Sequence, residues 1–275
     1  MPLLGEGNIA KMHTQHNEVV TYELPIGDSK VPMNELIGKS LQIIYGGQIN
    51  CNHCGRKTKK SFSQGYCYPC FQRLAQCDTC IMSPEKCHYA AGTCREPSWG
   101  EEFCMQDHFI YLANSSGLKV GITRGTQIPT RWMDQGAVQA LPILRVKQRL
   151  HSGLVEVIIK QYTKDKTDWR AMLKGKAEMI DMHQAWRELW FQAGEEIEML
   201  RDELGLAAIA DVESEALSFE YPVEVYPEKV KSFNLDKAPI VEGMLQGIKG
   251  QYLIFDTGVI NLRKYTGYNL SLATV

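Results

Sequence analysis

At 275 residues, 44% apolar and 23% charged, the chain has room for two or three small domains with real cores and the composition of an ordinary globular protein. No apolar run approaches the roughly 18 residues a membrane helix needs, and the N-terminus lacks a basic start followed by an apolar core. No membrane span and no secretory leader are therefore expected, and a cytoplasmic location is. The net charge of −2 divides unevenly: residues 51–176 carry 19 Lys and Arg against 10 Asp and Glu, whereas residues 177–229 carry 3 against 14. A basic middle suits phosphate binding, and equally an acidic neighbouring domain.

Residues 1–32 are polar and weakly patterned, ending near Gly27 and Pro32, and predict an irregular arm. A strand pair follows from 33, with Leu41, Ile43 and Tyr45 alternating and Gly46-Gly47 as a turn. All nine cysteines then lie between 51 and 104. In a cytosolic chain such clustering favours metal over disulfides. Cys51, Cys54, Cys67 and Cys70 form two CxxC turns, and the segment between them can fold as a hairpin that closes one tetrahedral zinc with four thiolates. The second cluster offers Cys77, Cys80, Cys87, His88, Cys94, Cys104 and His108, more ligands than one ion needs. Cys77 and Cys80 lead as a third CxxC, Cys87 and Cys94 come next, and Cys104 with His108 compete with them; a second zinc and an iron–sulfur cluster both remain open. Arg56, Lys57, Lys59 and Lys60 sit in the first knuckle with Phe62 and Tyr66 nearby, which fits either a nucleic-acid grip or a solvated hairpin tip.

Past Cys104, residues 109–113 and 118–122 predict a β-hairpin across the loop NSSG, with Thr123 and Arg124 ending its second strand. TRWMDQGA predicts a short helix bearing Arg131, Pro142–Val146 a third strand, and LHSGLVEVIIKQYTKD a helix bearing Glu156. Residues 176–204 predict the longest helix, with Met179, Met182, Trp186, Leu189, Trp190 and Ile197 on one face, an acidic other face and Gly205 as its stop. From about 218 the pattern is β, with Asp256-Thr-Gly258 a hairpin turn and a run of glycines that fits a small barrel. Lys249, Tyr252, Arg263, Lys264, Tyr265 and Tyr268 would form its basic, aromatic edge or stabilise it from within. The expected architecture is an α+β multidomain chain: an arm over 1–32, a zinc-binding region over 33–104, an α/β sandwich with a three-stranded antiparallel sheet over 105–175, an acidic helical linker over 176–216, and a small β-barrel over 217–275.

The CxxC clusters together with TCREPSWG, YLANSSGLKVGITR and GIKGQYL resemble a bacterial and archaeal domain-of-unknown-function family, number 2797, across most of residues 35–272. Tyr111, Lys119-Val-Gly121, Thr123, Arg131 and Glu156 resemble the GIY-YIG nuclease superfamily over about 108–170, in the branch where lysine replaces the second tyrosine. Phe109 stands where that signature has glycine, and no asparagine completing it follows Glu156. The nuclease resemblance implies a divalent-metal-dependent endonuclease in which Tyr111 is the base or positions the water, Lys119 tunes the tyrosine or neutralises phosphate, Arg131 stabilises charge, and Glu156 holds Mg2+ or Mn2+. Arg56, Lys57, Lys59, Lys60 and Arg124 are the candidate contacts to DNA or RNA. The other functional class is a non-catalytic adaptor that meets RNA, a ribonucleoprotein or a protein partner through its knuckles and barrel.

Overall fold

The computed structural model describes residues 2–275 as a mixed α+β chain built on antiparallel sheets. Strands β1 (Leu3–Asn8), β2 (His13–Gln15), β3 (Thr21–Ile26), β4 (Ser29–Pro32), β5 (Ser40–Asn50) and β6 (Lys57–Thr58) come first, and helices α1 (Tyr68–Arg73), α2 (Thr79–Met82) and α3 (Pro97–Phe103) run through the cysteine-rich stretch. Next come β7 (His108–Asn114), β8 (Leu118–Arg124), α4 (Thr130–Asp134), β9 (Gln139–Val146), α5 (Arg149–Ile159), α6 (Trp169–Lys174) and α7 (Met182–Leu204). The chain closes with β10 (Ile209–Asp211), β11 (Leu217–Ser218), β12 (Ile240–Lys249), β13 (Tyr252–Phe255), β14 (Gly258–Asn261) and β15 (Tyr268–Thr274). Two compact units result: residues up to Gln72 with Leu173–Gly175 and Phe219–Val275, and Arg73–Met172 with Lys176–Ser218. No helix among the described residues is long and apolar enough to cross a membrane.

The first unit corrects three expectations. The C-terminal strands do not close a barrel; they join an open sheet in the order β1-β15-β5-β12-β13-β14, with β6 also paired on β5. The reason is non-local pairing: β5, from ahead of the cysteines, lies between β15 and β12, so the C-terminal strands are not left to close on one another. The expected turn at Gly46-Gly47 lies inside β5, where the pairing with β15 shifts register and Gly47 takes φ +75°, so the glycines make a bulge in one long strand. Residues 2–32 are not an irregular arm. β1 edges the large sheet beside β15, β2-β3-β4 form a small sheet, and the Gln251 amide both accepts from the Met12 N–H at 2.8 Å and donates to the Met12 carbonyl at 3.0 Å in a buried setting. Tyr22, Leu24 and Ile26 alternate into the core along β3. Of the basic and aromatic edge, Lys249, Tyr265 and Tyr268 are buried, whereas Lys264 is exposed. Lys249 is fully buried, its Nζ donating to the Gly175 carbonyl at 3.0 Å beside the Tyr221 and Tyr226 rings, and Tyr268 donates to Asp236 at 3.0 Å.

In the second unit β7 is the central strand, antiparallel to β8 on one side and β9 on the other, and β10 and β11 extend the sheet along β9. Ile110 and Leu112 on β7, Val120 on β8 and Leu141 and Leu144 on β9 share one core with Val155 and Ile159 of α5 and Leu189, Ala193 and Ile197 of α7. α7 starts later than its hydrophobic pattern suggests. Asp181 caps it by accepting the Gln184 N–H at 2.8 Å. The preceding residues are held in extended form: Asn114 donates to the Glu178 carbonyl, and the Gln139 amide exchanges hydrogen bonds with the backbone of Ile180. Met179 is thereby exposed instead of packed. The helix ends at Gly205, φ +90°.

Candidate functional site

In the first unit the four knuckle cysteines converge. β5 delivers Cys51, and the Cys51 N–H donates to the Arg56 carbonyl while the Gly55 N–H returns to the Cys51 carbonyl, closing the first turn. A tight turn through Ser63, Gln64 and Gly65 brings back the second pair; Gly65, at φ +131°, lies so close to the Asn52 side chain that any Cβ would overlap it. The sulfurs of Cys51, Cys54, Cys67 and Cys70 all lie within 4.8 Å of one another, and Cys54 and Cys67 are 3.8 Å apart. A tetrahedral ion with metal–sulfur bonds of about 2.3 Å has sulfur–sulfur edges of about 3.8 Å, so the group is compatible with a closed structural zinc site. Burial pushes the Cys51 thiol up, but N–H groups from Cys67, Cys54 and His53 outweigh it and bring the thiol below its usual range; burial and the neighbouring sulfurs hold Cys70 above its own. Four sulfurs this close cannot all ionise without a cation between them.

The knuckle carries Arg56, Lys57, Lys59 and Lys60, all exposed. Lys60 Nζ stands 5.3 Å from the Phe62 ring, which stacks on Phe71 and meets Tyr68, a half-exposed ring that no sequence motif marks. Tyr66 instead pairs backbone to backbone with Phe62.

In the second unit two residues of the expected catalytic set, Tyr111 and Lys119, meet at one amide. Tyr111 on β7 sits opposite Gly121 on β8, and only a glycine there leaves room for the ring: a Cβ would lie 2.7 Å from its Cζ and hydroxyl. The Tyr111 hydroxyl donates to Gln135 Oε1 at 2.9 Å, and Lys119 Nζ donates to the same oxygen at 2.9 Å, using both of its lone pairs. Trp132 of α4 packs edge-on against the Tyr111 ring, centroids 5.7 Å apart. Arg131, on the same helix, acts electrostatically on the Tyr111 hydroxyl. Burial holds the Tyr111 phenol above its ordinary value despite Arg131, so it is a neutral donor. Burial, with Arg131 beside it, brings the Lys119 ammonium down to about 8. Burial first and Asp165 second raise the Glu156 carboxyl, and Asp165 also acts on Lys119. Gln135 and Asp165 belong to no motif. Arg124 lies apart from Tyr111, its guanidinium over the Phe103 ring at 4.8 Å. Tyr111 and Lys119 are buried, whereas Arg131 and Glu156 are partly exposed.

The second cysteine cluster is looser than the first. Cys80, Cys87, Cys94 and Cys104 wall one cavity of about 20 Å³, together with Asp78, His88, Trp99 and Gly100. Cys77 is buried but does not line it, and neither does His108, whose Nδ1–H donates to the Gln106 carbonyl at 2.8 Å while its Nε2 is buried without a partner. A family model described as Protein of unknown function (DUF2797) matches residues 38–270, spanning both cysteine clusters and the Tyr111 cluster. No curated protein and no solved structure matches the chain.

Proposed function

The chain belongs to the family of proteins of unknown function DUF2797, and for this member we propose a zinc-containing, nucleic-acid-binding protein with a divalent-metal-dependent phosphodiester-cleaving site of the GIY-YIG kind. The observation that supports this reading is the meeting of Tyr111 and Lys119, from two adjacent strands, at one Gln135 oxygen, with Arg131 and Glu156 acting electrostatically on both. Their chemistry divides the work. Arg131, partly exposed, meets the charge that develops on the phosphoryl oxygens. Glu156, with Asp165 in reach, offers oxygens to Mg2+ or Mn2+, whose charge would lower a carboxyl that burial now raises. Lys119, at about 8, is better matched to accept a proton near neutrality than the neutral Tyr111 phenol, which positions it through Gln135. Substrate entry then requires local rearrangement, since Tyr111 and Lys119 are buried. The exposed Arg56, Lys57, Lys59 and Lys60, with Tyr68, supply phosphate and base contacts in the first unit.

A second reading, a non-catalytic adaptor on RNA or a ribonucleoprotein, is favoured by two observations taken together: Tyr111 is completely buried, and the four basic residues of the knuckle are exposed. Incubating the full chain with Mg2+ or Mn2+ and labelled single-stranded and duplex DNA and RNA separates the two. Cleavage that disappears in a folded Glu156→Ala variant supports the enzyme. Salt-sensitive binding with no cleavage of any substrate leaves the adaptor and removes the enzyme.

A further inference from the structure

The chain contains two cysteine clusters of different geometry, and the difference is informative. In the first, four sulfurs fit the edges of a tetrahedron around a single ion. In the second, no three of Cys80, Cys87, Cys94 and Cys104 have sulfurs all within 4.8 Å of one another, yet the four residues wall one small cavity. Thiols spaced around a void, with no tight tetrahedron among them, do not suit one zinc. They suit a ligand that is itself several atoms across and is held by thiolates at its corners. From this geometry we infer that Cys80, Cys87, Cys94 and Cys104 ligate an iron–sulfur cluster in the second unit.

The surroundings agree. The cavity of about 20 Å³ leaves space among the four cysteines, and metal–thiolate bonds of about 2.3 Å bring bonded atoms well inside van der Waals contact, so the room open to a bonded cluster is larger. Much of the remaining wall is Ala75, Ile81, Tyr89 and Trp99, an apolar setting that limits water around the sulfides. Gly100 of α3 lets that helix close over the cavity: a Cβ there would crowd the Tyr89 ring at 3.1 Å and the Cys94 sulfur at 3.4 Å. Arg149 supplies compensating charge for a dianionic centre. The residue is half-buried, one nitrogen donates to the Ile81 carbonyl at 2.6 Å, its buried Nε–H has no acceptor, and it lies within electrostatic reach of Cys80 and Cys104.

The competing donors are committed elsewhere. Asp78, Cys80 and His88 do approach one another closely, but the Asp78 carboxylate caps α2 through the Thr79 N–H and pairs with Arg95 at 2.9 Å and His88 at 3.3 Å. His88 Nδ1 is engaged by Thr93 at 2.8 Å. Those contacts explain that trio without a metal.

The test is purification of the full chain without oxygen, followed by assay of iron, acid-labile sulfide and zinc, and by electron paramagnetic resonance after reduction. Iron and sulfide together with one zinc per chain, and a brown colour, are expected. Cys94→Ser should lose iron, sulfide and colour but keep the zinc, and Cys54→Ser should lose the zinc but keep the colour. Should Cys94→Ser fail to fold, stripping the wild-type chain and rebuilding it with ferrous iron and sulfide gives the same answer through return of the absorption. Two zincs per chain with no iron, no rebuilding of the stripped protein, or iron unaffected by Cys94→Ser overturns the inference.

Discussion

Substituting Gly121→Ala puts the smallest available perturbation at the centre of the Tyr111 cluster. The added methyl would lie 2.7 Å from the Tyr111 Cζ and hydroxyl, so the ring must give by about 0.7 Å to regain ordinary contact. It has little freedom to do so, being fully buried with Trp132 at its face and its hydroxyl fixed on Gln135. Overpacking of this sort costs about 1–3 kcal/mol, and a displaced hydroxyl adds about 1 kcal/mol for its broken hydrogen bond. The expected loss is therefore about 2–4 kcal/mol, read as a lower urea midpoint at an unchanged slope. In a Tyr111→Ala background the methyl meets no ring, and the same substitution should be nearly neutral, a coupling above about 1 kcal/mol. A Gly121→Ala protein within about 0.5 kcal/mol of wild type, or additive costs in the double variant, would refute the packing argument.

Lys119 makes stability depend on pH in a defined sense. Its folded pKa of about 8 lies below the ordinary 10.5, so between those values the unfolded chain binds the proton more readily and acidification favours unfolding. Relative to Lys119→Met, wild type should gain stability as pH rises from about 8 to 10.5, by an amount on the order of 3 kcal/mol; parallel urea midpoints for the two proteins across that range would contradict it. Asp181→Ala removes the cap of α7 and should lower stability in thermal or urea unfolding, with the difference vanishing as pH falls through the lowered Asp181 pKa and the wild-type carboxylate is protonated. Chelation of the wild-type protein, or Cys54→Ser, should release one zinc and make the segment between Cys51 and Cys70 sensitive to protease; an unchanged digestion pattern after zinc loss would show that the metal does not hold the knuckle.

Local signals were legible in the sequence and distant ones were not. The hairpin β7–β8 and the two CxxC turns are contiguous patterns whose partners lie within a few residues, and they stand where the pattern predicts. β3 also carried a readable alternation in Tyr22, Leu24 and Ile26, but it is six residues long, interrupted by Pro25, and its place in the core depends on partners at the other end of the chain. The same distance hid the open sheet. β5 and β15 pair across most of the sequence, and Gly46-Gly47, whose sequence suggests a turn, becomes a bulge only because β15 is there to pair with both sides of it. Within the Tyr111 cluster the signature residues were visible, whereas Gln135 was not. A glutamine after a five-residue helix has no pattern, and its role arises from standing where two donors need one oxygen.

The central claim, engagement of nucleic acid, is tested most directly by equilibrium binding of the full chain to labelled single-stranded and duplex DNA and RNA over a series of salt concentrations. The account predicts binding at low salt that weakens linearly on logarithmic axes. Replacing Arg56, Lys57, Lys59 and Lys60 by alanine should make the slope shallower by up to about 3.6, since each phosphate left without its cation removes about 0.7–0.9 from it. Absence of binding to every substrate at low salt, or a slope unchanged by removing the four cations, would contradict it.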